Sequence, residues 1–247
     1  MALQQKTMTG PDDLKSGLSI DRTASPHPFD PRVLITTHEG DLSLIHTPGI
    51  KAVILKRPGF LLPASAGLVE QATHDDLLSL SYAFEDAARP STALARIFTD
   101  EVAHLVTLFN TVASEKITAT AENVLVNSHY RECAIDAESN DDWPEHHAEI
   151  GYELRLISAF AGRGTEWVAG DMSYKDLLAL NKKNLHENAL GDGRHRYLDT
   201  HDVVVLKGDK YASCRMTEPN WSPDWLVHRE PMPQAGVPRL GIVMPYL

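Results

Sequence analysis

Two histidines and two glutamates fall within the short run Glu145–Glu149, near the middle of the chain. Side chains alternate between two faces on an extended backbone, so His147 and Glu149 project to the same side. An imidazole and a carboxylate at this spacing can clamp a divalent metal ion. A third ligand must come from elsewhere, and His228 is our candidate because it lies in a late strand-like run that ends in a turn.

Two imidazoles and one carboxylate on one face of a metal ion leave three open positions, the arrangement of non-haem Fe(II) oxygenases. A dicarboxylate co-substrate in such a site needs a cation, and a guanidinium binds a carboxylate through two parallel hydrogen bonds. Arg239, at the start of the last predicted strand, is the candidate for this role. Arg155 is a weaker one, since it can instead pair with a buried acid such as Glu153 or Glu166.

The register of the central strand leaves an alternative open. Apolar residues occupy the even positions from 150 to 156, and an unbroken alternation would turn His146 rather than His147 toward the core. That register gives a His-x-Ala pattern in place of His-x-Glu. Gly151 permits a bulge that restores the other register. We therefore predict His147 and Glu149 as ligands and keep His146 as the alternative.

Composition narrows the class of protein. The chain has 247 residues, a net charge of −11 and 43% hydrophobic residues, which is enough to bury a core. The acidic balance argues against a nucleic-acid partner, and no apolar run approaches the length of a membrane span. Two cysteines, Cys133 and Cys214, make neither a disulfide framework nor a zinc knuckle. With no secretory signal in view, we expect a cytoplasmic protein; its oligomeric state is not readable from the sequence.

The first half of the chain is predicted to be mainly helical. Residues 1–31 are polar and rich in proline, as expected of a flexible arm, and 32–247 form a single domain. Apolar residues at 42–45 and 50–55 flank Pro48-Gly49 and predict a hairpin or a pair of edge strands. Helices that support the later strands are predicted over about 64–113, with a break at 74–76. Ser91 or Thr92 can cap the last helix of this region.

The second half is predicted to be mainly strands, apart from one helix candidate. The predicted strands cover 117–121, 124–126, 150–160, 202–206, 225–228 and 240–244, and the helix covers Tyr174–Lys183. The run Gly162–Trp167 is typical of a tight turn followed by a buried tryptophan. We expect His186, His195 and His201 to be solvated, unless one of them lines the mouth of a pocket.

These residues together resemble the Fe(II)/2-oxoglutarate-dependent dioxygenases. The His-x-Asp/Glu…His signature of that superfamily is matched by His147, Glu149 and His228, and its later arginine by Arg239. The resemblance implies an α+β fold: a double-stranded β-helix, jelly-roll or cupin-like, over about 116–247, with a helical N-terminal layer. It further implies Fe(II), with 2-oxoglutarate as co-substrate. One departure is the glutamate, because these enzymes usually carry aspartate at that position.

The wider layout also resembles a family catalogued as domain of unknown function 1826. The matching pieces are Lys56-Arg57-Pro58, Arg155-Leu156, the Gly-x-Gly-Thr-Glu-Trp run 162–167, a Lys-Gly turn at 207–208, and His-Arg-x-Pro at 228–231. Some members of that family are encoded near zinc-homeostasis genes. This second resemblance implies an alternative, a non-catalytic cupin-like protein that binds zinc.

The leading expectation is therefore an oxygenase. It would hydroxylate or otherwise oxidise a C–H bond of a small molecule or an amino-acid side chain, releasing succinate and CO2. The identity of the substrate, and the choice among hydroxylation, desaturation, cyclisation and halogenation, are not encoded in any motif that we recognise. A barrel that binds a small ligand without metal is a third possibility.

Overall fold

The computed structural model describes residues 24–61, 63–85, 92–113, 124–127, 154–171, 193–207, 226, 228–229, 231 and 237–245. These residues form a mixed α/β protein with a sheet core. The strands are β1 (Ser25–His27), β2 (Asp30–Thr36), β3 (Ala52–Leu55), β4 (Leu125–Asn127), β5 (Leu154–Ala161), β6 (Glu166–Val168), β7 (His195–Tyr197), β8 (Val203–Lys207), β9 (His228–Arg229) and β10 (Leu240–Pro245). The helices are a 3-10 helix (Glu39–His46), α1 (Pro63–Glu70), α2 (His74–Glu85) and α3 (Ala93–Val112).

The described strands form two sheets. The larger has seven strands in the order β1-β2-β3-β8-β5-β10-β4, and the smaller has three in the order β7-β6-β9. Strands β2 and β3 run parallel, whereas the other described pairs are antiparallel. The smaller sheet is built entirely from the second half of the sequence, and the larger draws strands from both halves.

Helices cover one face of the seven-stranded sheet. Side chains at alternate positions of its strands, including Val53, Leu156, Val205 and Ile242, pack with helical residues in one buried cluster. From the helices this cluster takes Leu77, Leu80, Phe98, Val102, Leu105, Leu108 and Phe109. Both faces of the central strands are therefore covered, which explains why β3 and β8 have continuous apolar sequences rather than alternating ones.

The helices agree closely with the sequence prediction. A break separates α1 from α2, but it covers 71–73, and residues 74–76, predicted as the break, form the first turn of α2. Thr92 caps α3, because its side chain accepts a hydrogen bond from the Ala95 backbone N–H at 3.1 Å. The helix ends at Val112, beside the predicted end at residue 113. No described helix is long and apolar enough to cross a membrane. The candidate helix Tyr174–Lys183 lies outside the described residues.

Two predictions for the first half are wrong. Residues 42–45 are not a strand but part of the 3-10 helix, because Leu42 and Ile45 are three residues apart and both fully buried on one face of that helix. The predicted hairpin does not form, since β3 pairs with β2 in parallel and with β8 on its other side. The sheet also begins at Ser25, inside the segment predicted as a flexible arm.

Candidate functional site

A second buried cluster lies between the two sheets. It combines the other face of the seven-stranded sheet, represented by Ile54, Ile157 and Val204, with Trp167 and Leu226 from the side of the smaller sheet. The tight turn predicted at 162–167 is confirmed by the positive φ of 74° at Gly162, and the buried tryptophan by the 2% exposure of Trp167. We call this region the inter-sheet face.

His228 belongs to the inter-sheet face. It pairs with Trp167 across β9 and β6, so the two side chains share a side of the smaller sheet, and it is only 7% exposed. Its Nδ1 lies 2.8 Å from the Leu226 carbonyl oxygen. A carbonyl can only accept a hydrogen bond, so Nδ1 carries the proton and Nε2 carries the lone pair. This is the tautomer in which a histidine ligates a metal ion through Nε2.

Arg239 comes immediately before β10 and is 6% exposed. Its Nε donates a 3.0 Å hydrogen bond to the Arg163 carbonyl oxygen. Its guanidinium lies against Gly241, so closely that a Cβ there would meet the two terminal nitrogens at 3.1 and 3.2 Å. Gly241 alternates with Leu240 and Ile242 of the helical face and shares its side with Val243, which packs on the inter-sheet cluster. The guanidinium therefore lies on the inter-sheet face.

Arg155 follows the same rule of alternation. Its neighbours Leu154 and Leu156 pack on the helical side, and its cross-strand partner Leu206 belongs to the inter-sheet cluster. The side chain is half-buried. Arg155 thus starts on the same face as Ile157, and a guanidinium at that position extends toward the space between the sheets.

The structure places three of the predicted site residues, His228, Arg239 and Arg155, on one buried face. The other predicted ligands, His147 and Glu149, and the alternative His146 lie outside the described residues. Within the part of the chain that the structure describes, no three His, Cys, Asp or Glu side chains are grouped as a metal site. The described residues therefore contribute one histidine of the predicted ligand set.

On the opposite side of the smaller sheet, a carboxylate and an imidazole pair that the sequence reasoning missed. Glu166 Oε1 lies 2.6 Å from His195 Nδ1, and the two side chains are 2% and 13% exposed. His195 Nε2 is buried and has no hydrogen-bond partner among the described residues. The prediction of a solvated His195 is wrong, because Glu166 alternates with Trp167 and points to the side that His195 shares. The glutamate of the Gly-Thr-Glu-Trp run was the available signal.

A third polar region surrounds a cavity of about 540 Å³ at the end of the larger sheet. Lys56 Nζ, in its wall, binds Asp202 at 2.5 Å and Asp199 at 2.8 Å. These hydrogen bonds and charges outweigh the desolvation of the ammonium, so the pKa of Lys56 is raised. Arg57, the next residue, forms a buried ion pair with Glu101 of α3. Two adjacent cations are thus fixed by three carboxylates at one edge of the cavity.

His201 also lines this cavity. Its backbone has a positive φ of 67°, and its ring contacts Phe60 and Phe160. Burial, followed by the nearby charge of Arg57, lowers the pKa of His201 to about 4. The expectation that His201 is solvated is therefore wrong. His201 is instead the exception named in the sequence analysis, a histidine that lines a pocket. The aromatic neighbours are distant in sequence, so no local pattern could have revealed this burial.

These elements define a mixed α/β protein in which a sheet core carries helices on one face and a second sheet on the other. Comparison with known protein families gives a match over most of the chain. The chain belongs to the family described as Protein of unknown function (DUF1826), because the model of that family matches its residues 36–244. No curated protein and no solved structure matches the chain. The family match agrees with the resemblance seen in the sequence and assigns no chemistry.

Proposed function

We propose that the protein is a non-haem Fe(II)/2-oxoglutarate-dependent oxygenase. In this proposal His147, Glu149 and His228 hold the metal ion, and Arg239 binds the distal carboxylate of 2-oxoglutarate. The observation that carries the proposal is the placement of His228 and Arg239 on the inter-sheet face, both buried. Both residues were selected from sequence for these roles, and the face they share is the one that a barrel-type oxygenase would use.

The order of strand pairing supports a double-stranded β-helix. Counted from β4, the first strand pairs with the last, β10, while β5 pairs with β8 and β6 with β7. An eight-stranded jelly roll has this nested order, in which strands one and eight, two and seven, three and six, and four and five are partners. The described strands supply every member except the second, the partner of β9.

The missing strand bears on the metal ligands. In the nested order it would pair with β9, the strand of His228, and would come between β4 and β5 in the chain. That interval of the sequence, 128–153, contains His147 and Glu149. A double-stranded β-helix would therefore bring this pair beside His228 by its topology alone. The same order would leave β1, β2 and β3 as an extension of the larger sheet.

The chemistry of the described residues fits the metal and the co-substrate. The Leu226 carbonyl holds the His228 ring in one orientation and fixes the tautomer that ligates through Nε2. Arg239 donates a hydrogen bond from Nε to the Arg163 carbonyl, and this bond orients its guanidinium fork. The apolar neighbours Trp167, Ile157 and Val204 exclude water, which strengthens the pairing of a guanidinium with a carboxylate.

With both groups bound, the Fe(II) centre would supply oxidative decarboxylation of 2-oxoglutarate by O2 to succinate and CO2, with one oxygen atom entering succinate and the other available to oxidise a substrate C–H bond. The protein provides the ligands, the orientation of the co-substrate and a dry site. The substrate in this proposal is a small molecule or an amino-acid side chain, because the net charge of −11 disfavours nucleic acid.

The test is anaerobic titration of the Fe(II)-loaded protein with 2-oxoglutarate. We expect the weak visible charge-transfer band of a chelated Fe(II) complex, and slow succinate release once air is admitted. His228→Ala should reduce Fe(II) occupancy at least tenfold, because two remaining ligands hold a divalent ion poorly. His46→Ala is the matched control, since His46 also bonds a backbone carbonyl, that of Val112 at 2.7 Å, but lies on the helical side.

Three further variants separate the roles within the site. Arg239→Leu should leave iron bound and weaken 2-oxoglutarate binding by orders of magnitude, as expected when a buried charge pair loses one partner. His147→Ala should lose iron and His146→Ala should keep it; the reverse result would select the His-x-Ala register. A protein that holds zinc, does not exchange it for iron and does not bind 2-oxoglutarate would support the metal-binding alternative instead.

A further inference from the structure

The cavity at the end of the larger sheet is separate from the inter-sheet face. Its walls come from the segments after β3 and β5, the turn before β8, and α1. About 540 Å³ is within the range of pockets that bind small organic molecules. The apolar part of the lining includes Phe60, Val69 and Val237, and Phe60 and Val237 are 36% and 42% exposed.

Two features of His201, one of the residues that line the cavity, are costly. A non-glycine residue with φ of 67° is strained. Its Nδ1 is buried and has no hydrogen-bond partner among the described residues. The ring is also held neutral, because burial lowers its pKa to about 4. Unpaired polar atoms and strained backbone persist where a ligand or a function compensates for them.

The charges around the cavity disfavour an anionic ligand. Lys56 is bound by Asp199 and Asp202, and Arg57 by Glu101, so neither cation is left for the carboxylate of a ligand. One face of Phe60 is already covered by the Arg57 guanidinium, 3.7 Å from the ring centroid. Glu70, in the lining, is exposed and would repel an anion. Among the described residues of the lining, His201 offers a neutral ring with a nitrogen that has no protein hydrogen bond.

We propose that this cavity binds an organic molecule that carries a ring and a hydrogen-bonding group and has no negative charge. The ring packs on the apolar wall, and the polar group exchanges a hydrogen bond with His201. This site does not depend on the oxygenase proposal, because none of the residues that form it are proposed metal or co-substrate ligands. It lies beside them, since Pro238 lines the cavity and precedes Arg239.

The test uses three probes of nearly equal size and different charge: benzamide, benzoate and benzylamine, each titrated with the metal-free full chain and followed by NMR. Benzamide and benzylamine should bind, and their resonances should show contacts to Phe60. Benzoate should bind at least tenfold more weakly than either, because both cations of the lining are already paired and Glu70 would repel its carboxylate. A preference for benzoate, or equal binding of all three probes, would overturn the proposal.

The matched variants are His201→Gly and His104→Gln. Glycine accepts the positive φ without strain, so His201→Gly should fold at least as well as the parent. It should bind benzamide about tenfold more weakly, the effect of losing one buried hydrogen bond. His104 also stacks on Phe60, at 5.9 Å, but is not part of the cavity lining, so His104→Gln should bind normally. Unchanged affinity in folded His201→Gly would show that His201 does not contact the ligand.

Discussion

The seven-stranded sheet buries one face against helices and the other against the smaller sheet, and the side chains on the two faces differ in kind. The helical face is almost wholly aliphatic and aromatic, with Phe98 and Phe160 in edge-to-face contact at 5.1 Å. The inter-sheet face mixes apolar side chains with His228, Arg239 and Arg155. Neighbouring residues of one strand thus serve the hydrophobic core on one side and a polar site on the other.

The way charge is neutralised differs as well. At the edge of the helical face, the buried Arg57–Glu101 pair satisfies each charge with an opposite one, although desolvation still raises the pKa of Glu101. On the inter-sheet face, the polar side chains of His228 and Arg239 bond backbone carbonyls, which orient a side chain without neutralising it. The described contacts thus pair charge with charge near the helices and orient side chains through the backbone between the sheets.

The largest expected effect comes from the helical face. Phe98 is 2% exposed and packs against Phe160, so Phe98→Ala should lower the free energy of unfolding by about 3–5 kcal/mol through lost burial and a cavity. Urea denaturation measures this. If the oxygenase proposal holds, Fe(II) occupancy at concentrations where the variant is folded should not change, because Phe98 does not belong to the inter-sheet cluster.

Thr107→Ala is the control on the same helix. Thr107 is exposed and bonds only the Ala103 carbonyl one turn earlier, so its loss should change the free energy of unfolding by less than about 0.5 kcal/mol. If Phe98→Ala proved as mild as Thr107→Ala, the helical face would not be the main source of stability.

The sequence predicted best where a pattern is local. The cap at Thr92, the break between α1 and α2 and the span of α3 follow from propensity and periodicity within one helix. The parallel pairing of β2 with β3 was missed, because Pro48-Gly49 favoured a hairpin and the partners are chosen by packing across the sheet. The 3-10 helix was missed because four apolar-rich residues fit a strand and a buried helical turn equally well.

The same contrast between local and long-range signals holds for the candidate site. His228 and Arg239 were selected by their order in the chain, and the structure puts both on one buried face. His195 and His201 were misjudged because their burial depends on Glu166, Phe60 and Phe160, which lie in other segments. A polar loop in the sequence does not reveal which side chains a distant element will cover.

The second prediction concerns the turn that connects the two faces. Gly162 has φ of 74°, and a Cβ there would meet the Pro238 carbonyl oxygen at 2.6 Å. Gly162→Ala should therefore cost about 3 kcal/mol in the free energy of unfolding, from strain and the clash together. If Arg239 binds 2-oxoglutarate, the displaced 238–239 backbone should also weaken that binding.

Gly49→Ala isolates the effect of backbone strain. Gly49 has φ of 81° but nothing lies within 4 Å of its Cβ position, so the substitution should cost only about 1 kcal/mol and leave ligand binding unchanged. Equal costs at the two positions, measured by denaturant titration, would mean that the 238–239 segment moves freely and does not transmit the change to Arg239.

The smallest expected effect is a pH dependence at the end of the helical face. Burial, together with the nearby charge of Arg57, lowers the pKa of His201 from its ordinary value of 6.5 to about 4 in the folded chain. Between pH 6.5 and 4 the unfolded chain therefore binds a proton that the folded chain does not, and stability falls as the pH falls.

His201→Gly removes this contribution and leaves the Arg57–Glu101 pair in place. Relative to the parent, the variant should gain about 1–2 kcal/mol in the free energy of unfolding between pH 7 and pH 4.5, after allowance for partial exposure of the ring. Parallel stability curves for the two proteins would show that His201 titrates normally, and that the cavity does not hold it neutral.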